Sequence, residues 1–253
     1  MARLVSIAGQ LLVEIKTDEV NEQGGRHLIT NTRIVPGGRS YRQALYAKDQ
    51  GYNSILLGRI GDDYYGKLIL ESLNGLGIST QFIEVSRSGY TGMSFEVHRC
   101  EGEKQSVFFD PGASTGPGDF QFPIQNYLAL CDVVILNQWS PEGLSSRMLD
   151  LAEKNEIPTF CVGSSPLRDK AVSVDYFFLE SASNGEMVDL SHLQARKGLF
   201  LRSDGELNAW LPSGRQLYKV RLQKEWDGDY LVIRLMHALL QGARLEDTKD
   251  IES

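Results

Sequence analysis

Ser54-Ile55-Leu56-Leu57-Gly58-Arg59-Ile60-Gly61-Asp62-Asp63-Tyr64-Tyr65-Gly66-Lys67-Leu68-Ile69-Leu70-Glu71-Ser72-Leu73 changes character at one short turn. Ser54 to Gly58 carries an unbroken apolar run, the pattern of a strand covered on both faces. From Asp62 onward the apolar residues recur at helical spacing behind two aspartates, which suit the positive end of a helix dipole. This is a strand, a turn and a helix. Upstream, Arg39 to Gly51 reads as another helix with a glycine stop, and Arg3-Leu4-Val5-Ser6-Ile7-Ala8-Gly9 as a short buried strand. Strands and helices alternating at this pace predict an α/β fold around a parallel sheet with helices on both faces.

Two stretches break the rhythm. Residues 11 to 35 contain alternating runs such as Leu12-Val13-Glu14-Ile15 and Leu28-Ile29-Thr30 around the Gly24-Gly25 turn, which suggests a hairpin lying off the main sheet. Residues 81 to 110 hold three more such runs, with Cys100-Glu101-Gly102-Glu103-Lys104 as a hairpin loop. We expect strands from about 12–35 and 81–110 to form a small separate sheet, a β lid. The α/β alternation resumes at Leu128, with strands at Asp132–Leu136, Pro158–Val162, Tyr176–Leu179 and Leu199–Leu201 and a helix from Pro141 through Glu153. The Gly112–Gly118 break is too short for a linker and no internal repeat is visible, so residues 1–253 read as a single domain.

Composition narrows the function classes. With 42% hydrophobic and 23% charged residues, 253 residues can bury a full core. A net charge of -7 without a basic run argues against nucleic acid and against an anionic membrane surface, since both require a basic face. No apolar run approaches the length of a membrane span and no leader-like block opens the chain, so a cytoplasmic protein is expected. Cys100, Cys131 and Cys161 are too scattered for a disulfide framework and read as reduced, buried thiols. His27, His98, His192 and His237 show no metal-ligand spacing, so no metal ligands are assigned.

The chemistry-bearing stretch lies late. Glu225-Trp226-Asp227-Gly228-Asp229-Tyr230 runs into Leu231-Val232-Ile233-Arg234-Leu235-Met236-His237-Ala238-Leu239-Leu240-Gln241-Gly242, apolar on nearly every side and closed by glycine. It reads as a buried helix starting at the Asp-Gly-Asp turn. The free N–H groups and dipole of such a helix start form an anion site, beside which Asp229 could take a proton. Equally, Asp227 or Asp229 could simply cap the helix, a common use of aspartate.

Gly37-Gly38-Arg39-Ser40-Tyr41-Arg42-Gln43-Ala44 and Leu57-Gly58-Arg59-Ile60-Gly61-Asp62-Asp63-Tyr64-Tyr65-Gly66 together resemble the amino-terminal signature of the ribokinase-like, or PfkB, sugar kinases. The order of the other elements, to Gly242, resembles that family as well. The resemblance implies a doubly wound sheet with a β lid, ATP and magnesium as cofactors, and a sugar or sugar-like acceptor. It also implies Asp229 as base toward the sugar hydroxyl and Gly228 in the anion hole, the usual division of labour in phosphoryl transfer. Ser203 and Gly205, in the turn Leu201-Arg202-Ser203-Asp204-Gly205, would lie near the nucleotide, with Asp227 beside its phosphates.

The chain departs from the family's pattern at several of these places. Trp226 and Asp227 stand where the family carries small residues. A carboxylate near a transferring phosphate costs on the order of a few kcal/mol if poorly solvated. Glu180-Ser181-Ala182-Ser183 replaces the Asn-x-x-Glu run that helps to hold magnesium, with Asn184-Gly185-Glu186 just beyond, and only Ala243 to Ser253 follow the catalytic helix. On the sugar side, Glu14 fits the first-strand acidic position and Gly37-Gly38 lets a ligand approach the backbone. Arg42 replaces asparagine, and Trp139 falls near the sugar-contacting glutamate. These groups suit a ligand with an anionic group and a flat face; alternatively, Glu14 and Arg42 pair with each other and Trp139 belongs to the core. Two functions follow: a sugar kinase by ancestry with weak ATP–magnesium binding and weak or no turnover, or a non-catalytic binding or assembly module. Apolar lid runs such as Val107-Phe108-Phe109 further imply a homodimer through the lid.

Overall fold

The computed structural model describes residues 3–17, 19–23, 26–97, 106–116, 123–141, 143–163, 173–180, 194–203, 205–222 and 227–250. In chain order the strands are β1 (Arg3–Ala8), β2 (Leu12–Thr17), β3 (Glu19–Gln23), β4 (Arg26–Thr30), β5 (Arg33–Gly37), β6 (Tyr52–Gly61), β7 (Ile83–Ser86), β8 (Thr91–Val97), β9 (Ser106–Gly112), β10 (Val133–Asn137), β11 (Thr159–Gly163), β12 (Ser173–Glu180), β13 (Gln194–Ser203), β14 (Glu206–Trp210) and β15 (Gln216–Arg221). The α-helices are α1 (Arg39–Asp49), α2 (Tyr64–Gly75), α3 (Ile124–Leu128), α4 (Leu144–Lys154) and α5 (Gly228–Leu240).

A nine-stranded sheet runs in the order β15-β14-β13-β12-β11-β10-β1-β6-β7. It is parallel from β13 to β7, and β14 and β15 add an antiparallel edge. Side chains alternate across it, as a pleated strand requires. Val5, Ile7, Val133 and Ile135 pack with α1, α2 and α5, whereas Ala8, Val134 and Leu136 pack with α3 and α4. Both faces are therefore dry, and this explains why the strands read as continuous apolar runs. Cys131 and Cys161 are buried free thiols, both pushed up to about 12 by burial. Cys100 lies outside the described residues.

The strands expected to form a lid make a second sheet, ordered β5-β2-β8-β9, with β3 and β4 as a separate ribbon. The strand Ile83–Ser86, expected in the lid, instead pairs in parallel with β6 at the edge of the main sheet, Gly58 opposite Ile83 and Ile60 opposite Val85. It returns from α2 to lie beside the strand preceding that helix, the usual course of a βαβ unit. The second lid segment therefore begins at Thr91. The β14–β15 hairpin and α3 had no counterpart in the sequence reading. The turns at Gly24-Gly25 and Cys100–Lys104 lie outside the described residues.

The Gly-Asp-Asp run binds lid to sheet. Asp63 caps α2 by accepting from Gly66 N at 2.8 Å, and it also accepts from Thr91 N and Thr91 Oγ1, each at 2.7 Å. Thr91 opens lid strand β8, so one carboxylate fixes both a helix start and the base of the lid. Gly61 and Gly66 are required by this close approach: a Cβ on Gly66 would strike Gly61 O.

Candidate active site

From β1 the chain builds the sheet outward through β6 and β7, then crosses back to place β10 on the other side of β1. Crevices beyond the carboxyl ends of strands at such a switch point are where open α/β sheets bind ligands. Here the starts of two helices, α1 and α5, meet. α1 begins at Gly38, whose φ of +91° and 2.9 Å approach of a built Cβ to Gln10 O leave room for glycine only. Arg39, Arg42 and Gln43 follow at the spacing that shares one helix face, and they project onto the first turn of α5.

Asp229, 1% exposed, lies at the centre. Its Oδ1 accepts from Gln43 Nε2 at 2.9 Å and lies 3.2 Å from Arg39 Nη1. Its Oδ2 accepts from Arg42 Nε at 3.0 Å and faces Arg42 Nη2 at 2.9 Å. Behind it Gln43 and Asn137, at the end of β10, exchange amide hydrogen bonds of 3.0 and 2.9 Å, and Asn137 Nδ2 also reaches Ala8 O and Ser40 Oγ at 3.1 Å. Burial raises the Asp229 carboxyl to about 6, against the pull of Arg39 and Arg42 and aided by the negative charge of Asp227 and Glu180. A carboxylate so tuned exchanges its proton near neutral pH.

The remaining sequence-derived residues fall as follows. Gly228 is the first residue of α5, and Asp227 is its cap, accepting from Asp229 N at 2.9 Å. The other Asp227 oxygen accepts from Tyr46 Oη at 3.1 Å and lies 3.4 Å from Arg42 Nε. Glu14, 4% exposed, accepts from Gly38 N at 3.1 Å and pairs with Arg42 and, at 2.8 Å, with Lys16. Burial pushes its carboxyl up, but Arg42, Lys16 and the Gly38 N–H outweigh this and hold it below the ordinary value. Glu14 lies flush on Gly37, where a Cβ would overlap its carboxyl group. So the alternative in which Glu14 and Arg42 satisfy each other is the one observed. Trp139 is partly buried, its ring 5.6 Å from that of Phe109 in the lid. Ser203 ends β13 and Gly205, φ +73°, makes the turn into β14, both close in sequence to Arg202. Trp226 and Asn184-Gly185-Glu186 lie outside the described residues.

The structure adds residues that the sequence reading had not assigned to the site. Besides Arg39, Gln43 and Asn137, it brings in Glu180 at the end of β12 and Arg202 on β13. Glu180 accepts from Arg39 Nη2 at 2.5 Å and from Arg202 Nη1 at 3.1 Å. Its carboxyl oxygen Oε1 lies where a Cβ of Gly228 would be. Burial pushes this carboxyl up, and the two arginines more than reverse the effect. The usable signal was position, because Glu180 and Asn137 each end a parallel strand, where the crevice must lie. As arranged, the start of α5 carries two carboxylates, Asp227 and Glu180, each facing an arginine, Arg42 and Arg39 respectively. Among the described residues no group of His, Cys, Asp and Glu is placed to hold a metal ion.

Residues 2–171 match the pfkB family of carbohydrate kinases. Ribokinase of Bacillus subtilis is 25% identical over 144 residues, 57% of this chain and 49% of that protein. Fructokinase-2 of Solanum lycopersicum is 27% identical over 74 residues, 29% of this chain and 23% of its own length. The chain thus spans about half, or less, of the length of these relatives. Among solved structures, Arabidopsis thaliana ribokinase complexed with ribose and ATP superimposes with a TM-score of 0.74 at 15% identity, covering 98% of this chain and 89% of that one. Halothermothrix orenii fructokinase gives 0.74 at 16% identity, covering 98% and 96%. Two-thirds of the sequence and the fold, with its switch point and second sheet, lead to one assignment: this chain belongs to the pfkB family of carbohydrate kinases.

Proposed function

We propose that this chain is a carbohydrate kinase by descent, binding a sugar-like ligand between the lid and the starts of α1 and α5, with weak or absent phosphoryl transfer. The observation that carries this reading is the state of Asp229. It stands at the first turn of α5, buried, with a carboxyl raised to about 6, yet held by Arg39, Arg42 and Gln43 while Asp227 spends its carboxylate on the same helix start. Asp229 is the base toward the acceptor hydroxyl. Gly228, lacking a side chain, exposes its backbone once Glu180 moves off it, and Glu14 and Arg42, once parted by ligand, offer an acceptor and a forked donor to hydroxyl and anionic groups, with Gly37, Gly38 and Trp139 framing the opening. ATP and magnesium are the co-reactants by ancestry, bound weakly, with Ser203 and Gly205 on the nucleotide side.

Sugar-dependent ADP formation across a panel of pentoses, hexoses and sugar acids tests the reading. The expected turnover is far below the ~1–1000 s⁻¹ of ordinary enzymes, and it is lost in Asp229→Asn. Turnover that persists in Asp229→Asn would remove Asp229 as the base. A second reading, a non-catalytic binding or assembly module, is favoured by the lid, which leaves Val107 55%, Phe108 65% and Phe109 37% exposed. Sugar binding without any ADP formation would select it. In either reading a homodimer through the lid covers this surface.

A further inference from the structure

Glu180 is oddly placed for an ordinary ion pair. Its Oε1 is directed at Gly228, the first residue of α5, where any side chain larger than hydrogen would collide with it. Arg39 grips Oε2 through Nη2 and Arg202 grips Oε1 through Nη1. The same Arg39 guanidinium reaches back through Nη1 to Asp229 Oδ1 at 3.2 Å. One planar cation thus joins Glu180 to the centre of the site. A helix start flanked by two arginines is a place built for an anion, and the anion in residence is supplied by the chain itself.

The fit is incomplete. Arg202 Nε is a buried donor that makes no hydrogen bond, whereas Arg39 Nη1 is held by Asp229. Each Glu180 oxygen accepts from one arginine nitrogen, and neither reaches Arg202 Nε. A phosphate brings more oxygens in tetrahedral array and can occupy further donors of the same two guanidinium groups. The donor left over, Arg202 Nε, therefore points to a ligand whose oxygens span more of this guanidinium than Glu180 does.

We propose that Glu180 is the specificity-determining residue of this site: its carboxylate stands in the place of a phosphate at the start of α5, and a phosphate-bearing ligand is admitted only by displacing it from Arg39 and Arg202. This rests on the reading in which α5 marks the phosphoryl end of the crevice. It assigns the low affinity for nucleotide to competition by one named residue. Arg202, on β13 beside the strand that ends in Glu180, becomes a phosphate-positioning residue once Glu180 swings away.

The test uses inorganic phosphate and pyrophosphate as probes, titrated calorimetrically and by phosphorus NMR into the full chain, with no sugar present and no turnover required. A chain that forms no ADP with any sugar still answers this question, so failure here and failure of the kinase reading are separable. Glu180→Gln keeps size and removes charge, and it should bind phosphate at least about tenfold more tightly than the unmodified protein, because a like charge at contact distance has been removed. The gain should vanish in Glu180→Gln combined with Arg202→Met. Thermal melts identify variants that fail to fold; should Glu180→Gln be one, Glu180→Asp, which withdraws the carboxylate by one methylene, should show a smaller gain of the same sign. Equal phosphate affinity in the unmodified protein and the folded Glu180 variant would overturn the proposal, as would a gain that survives loss of Arg202.

Discussion

Replacing Arg42 with methionine removes the cation shared by Glu14, Asp227 and Asp229 while keeping an apolar side chain against α5. Arg42 is 29% exposed, but Glu14 and Asp229 are 5% and 1% exposed, so the charges left behind are buried. Removing one partner of a buried ion pair costs about 3–5 kcal/mol. The lower end applies here, because Asp229 retains Arg39 and Gln43 and Glu14 retains Lys16 and the Gly38 N–H. A loss of about 3 kcal/mol corresponds to roughly 6–12 °C in Tm for a chain of this size. The deficit should depend on pH. The Asp229 carboxyl, already raised to about 6 in the folded protein, binds its proton more tightly there than in the unfolded chain, whose carboxylates titrate near about 3.9. Stability from that difference is present at low pH and is lost as pH rises through about 6. Without Arg42 the carboxyl rises further, so the variant should fall short by less at pH 5 than at pH 8. Differential scanning calorimetry at the two pH values measures both effects. A deficit below about 1 kcal/mol, or one identical at pH 5 and pH 8, would refute the claim that Arg42 neutralises this buried cluster.

Two further outcomes follow from the same geometry. Where sugar-dependent turnover is detectable, its rate should fall as pH drops below about 6, because Asp229 must be unprotonated to accept a hydroxyl proton; a flat profile between pH 5 and pH 8 would place the base elsewhere. Phe108→Lys, at a position 65% exposed on an edge strand of the lid, should convert a light-scattering dimer to monomer without lowering Tm by more than a few degrees, and an unmodified protein that is already monomeric at micromolar concentration would contradict the lid interface.

Local pattern carried much of the fold. The run from Ser54 to Leu73 identified β6 and α2 because a strand buried on both faces and a capped amphipathic helix each leave a local signature. The Asp-Gly-Asp start of α5 was readable for the same reason, although the sequence left Asp227 and Asp229 as alternative caps and the structure selects Asp227. Ile83–Ser86 was misplaced because a run of four residues carries the same alternation in either sheet, and only the return from α2 brings it against β6. The hairpin of β14 and β15 is short and partly exposed, and its alternation is diluted by Asn208, Gln216 and Lys219. In the site, Glu14, Arg42 and Asp229 could be named from motif positions, but their mutual neutralisation could not, since it joins residues separated by 28 and 187 positions. Glu180 and Arg202 were visible only as departures from a pattern. Their meaning depends on β12 and β13 lying side by side and ending against α5, a non-local fact.

The central proposal is that Asp227, which caps α5, and Glu180, which sits against Gly228, occupy the place of a phosphate, so that nucleotide binds poorly. Calorimetric titration of the unmodified protein with ATP and magnesium tests it directly. The account predicts no saturable heat below the millimolar range and almost no thermal stabilisation, since a ligand well below its Kd adds nothing appreciable to the folded state. Binding in the low micromolar range, accompanied by turnover on any common sugar, would contradict it.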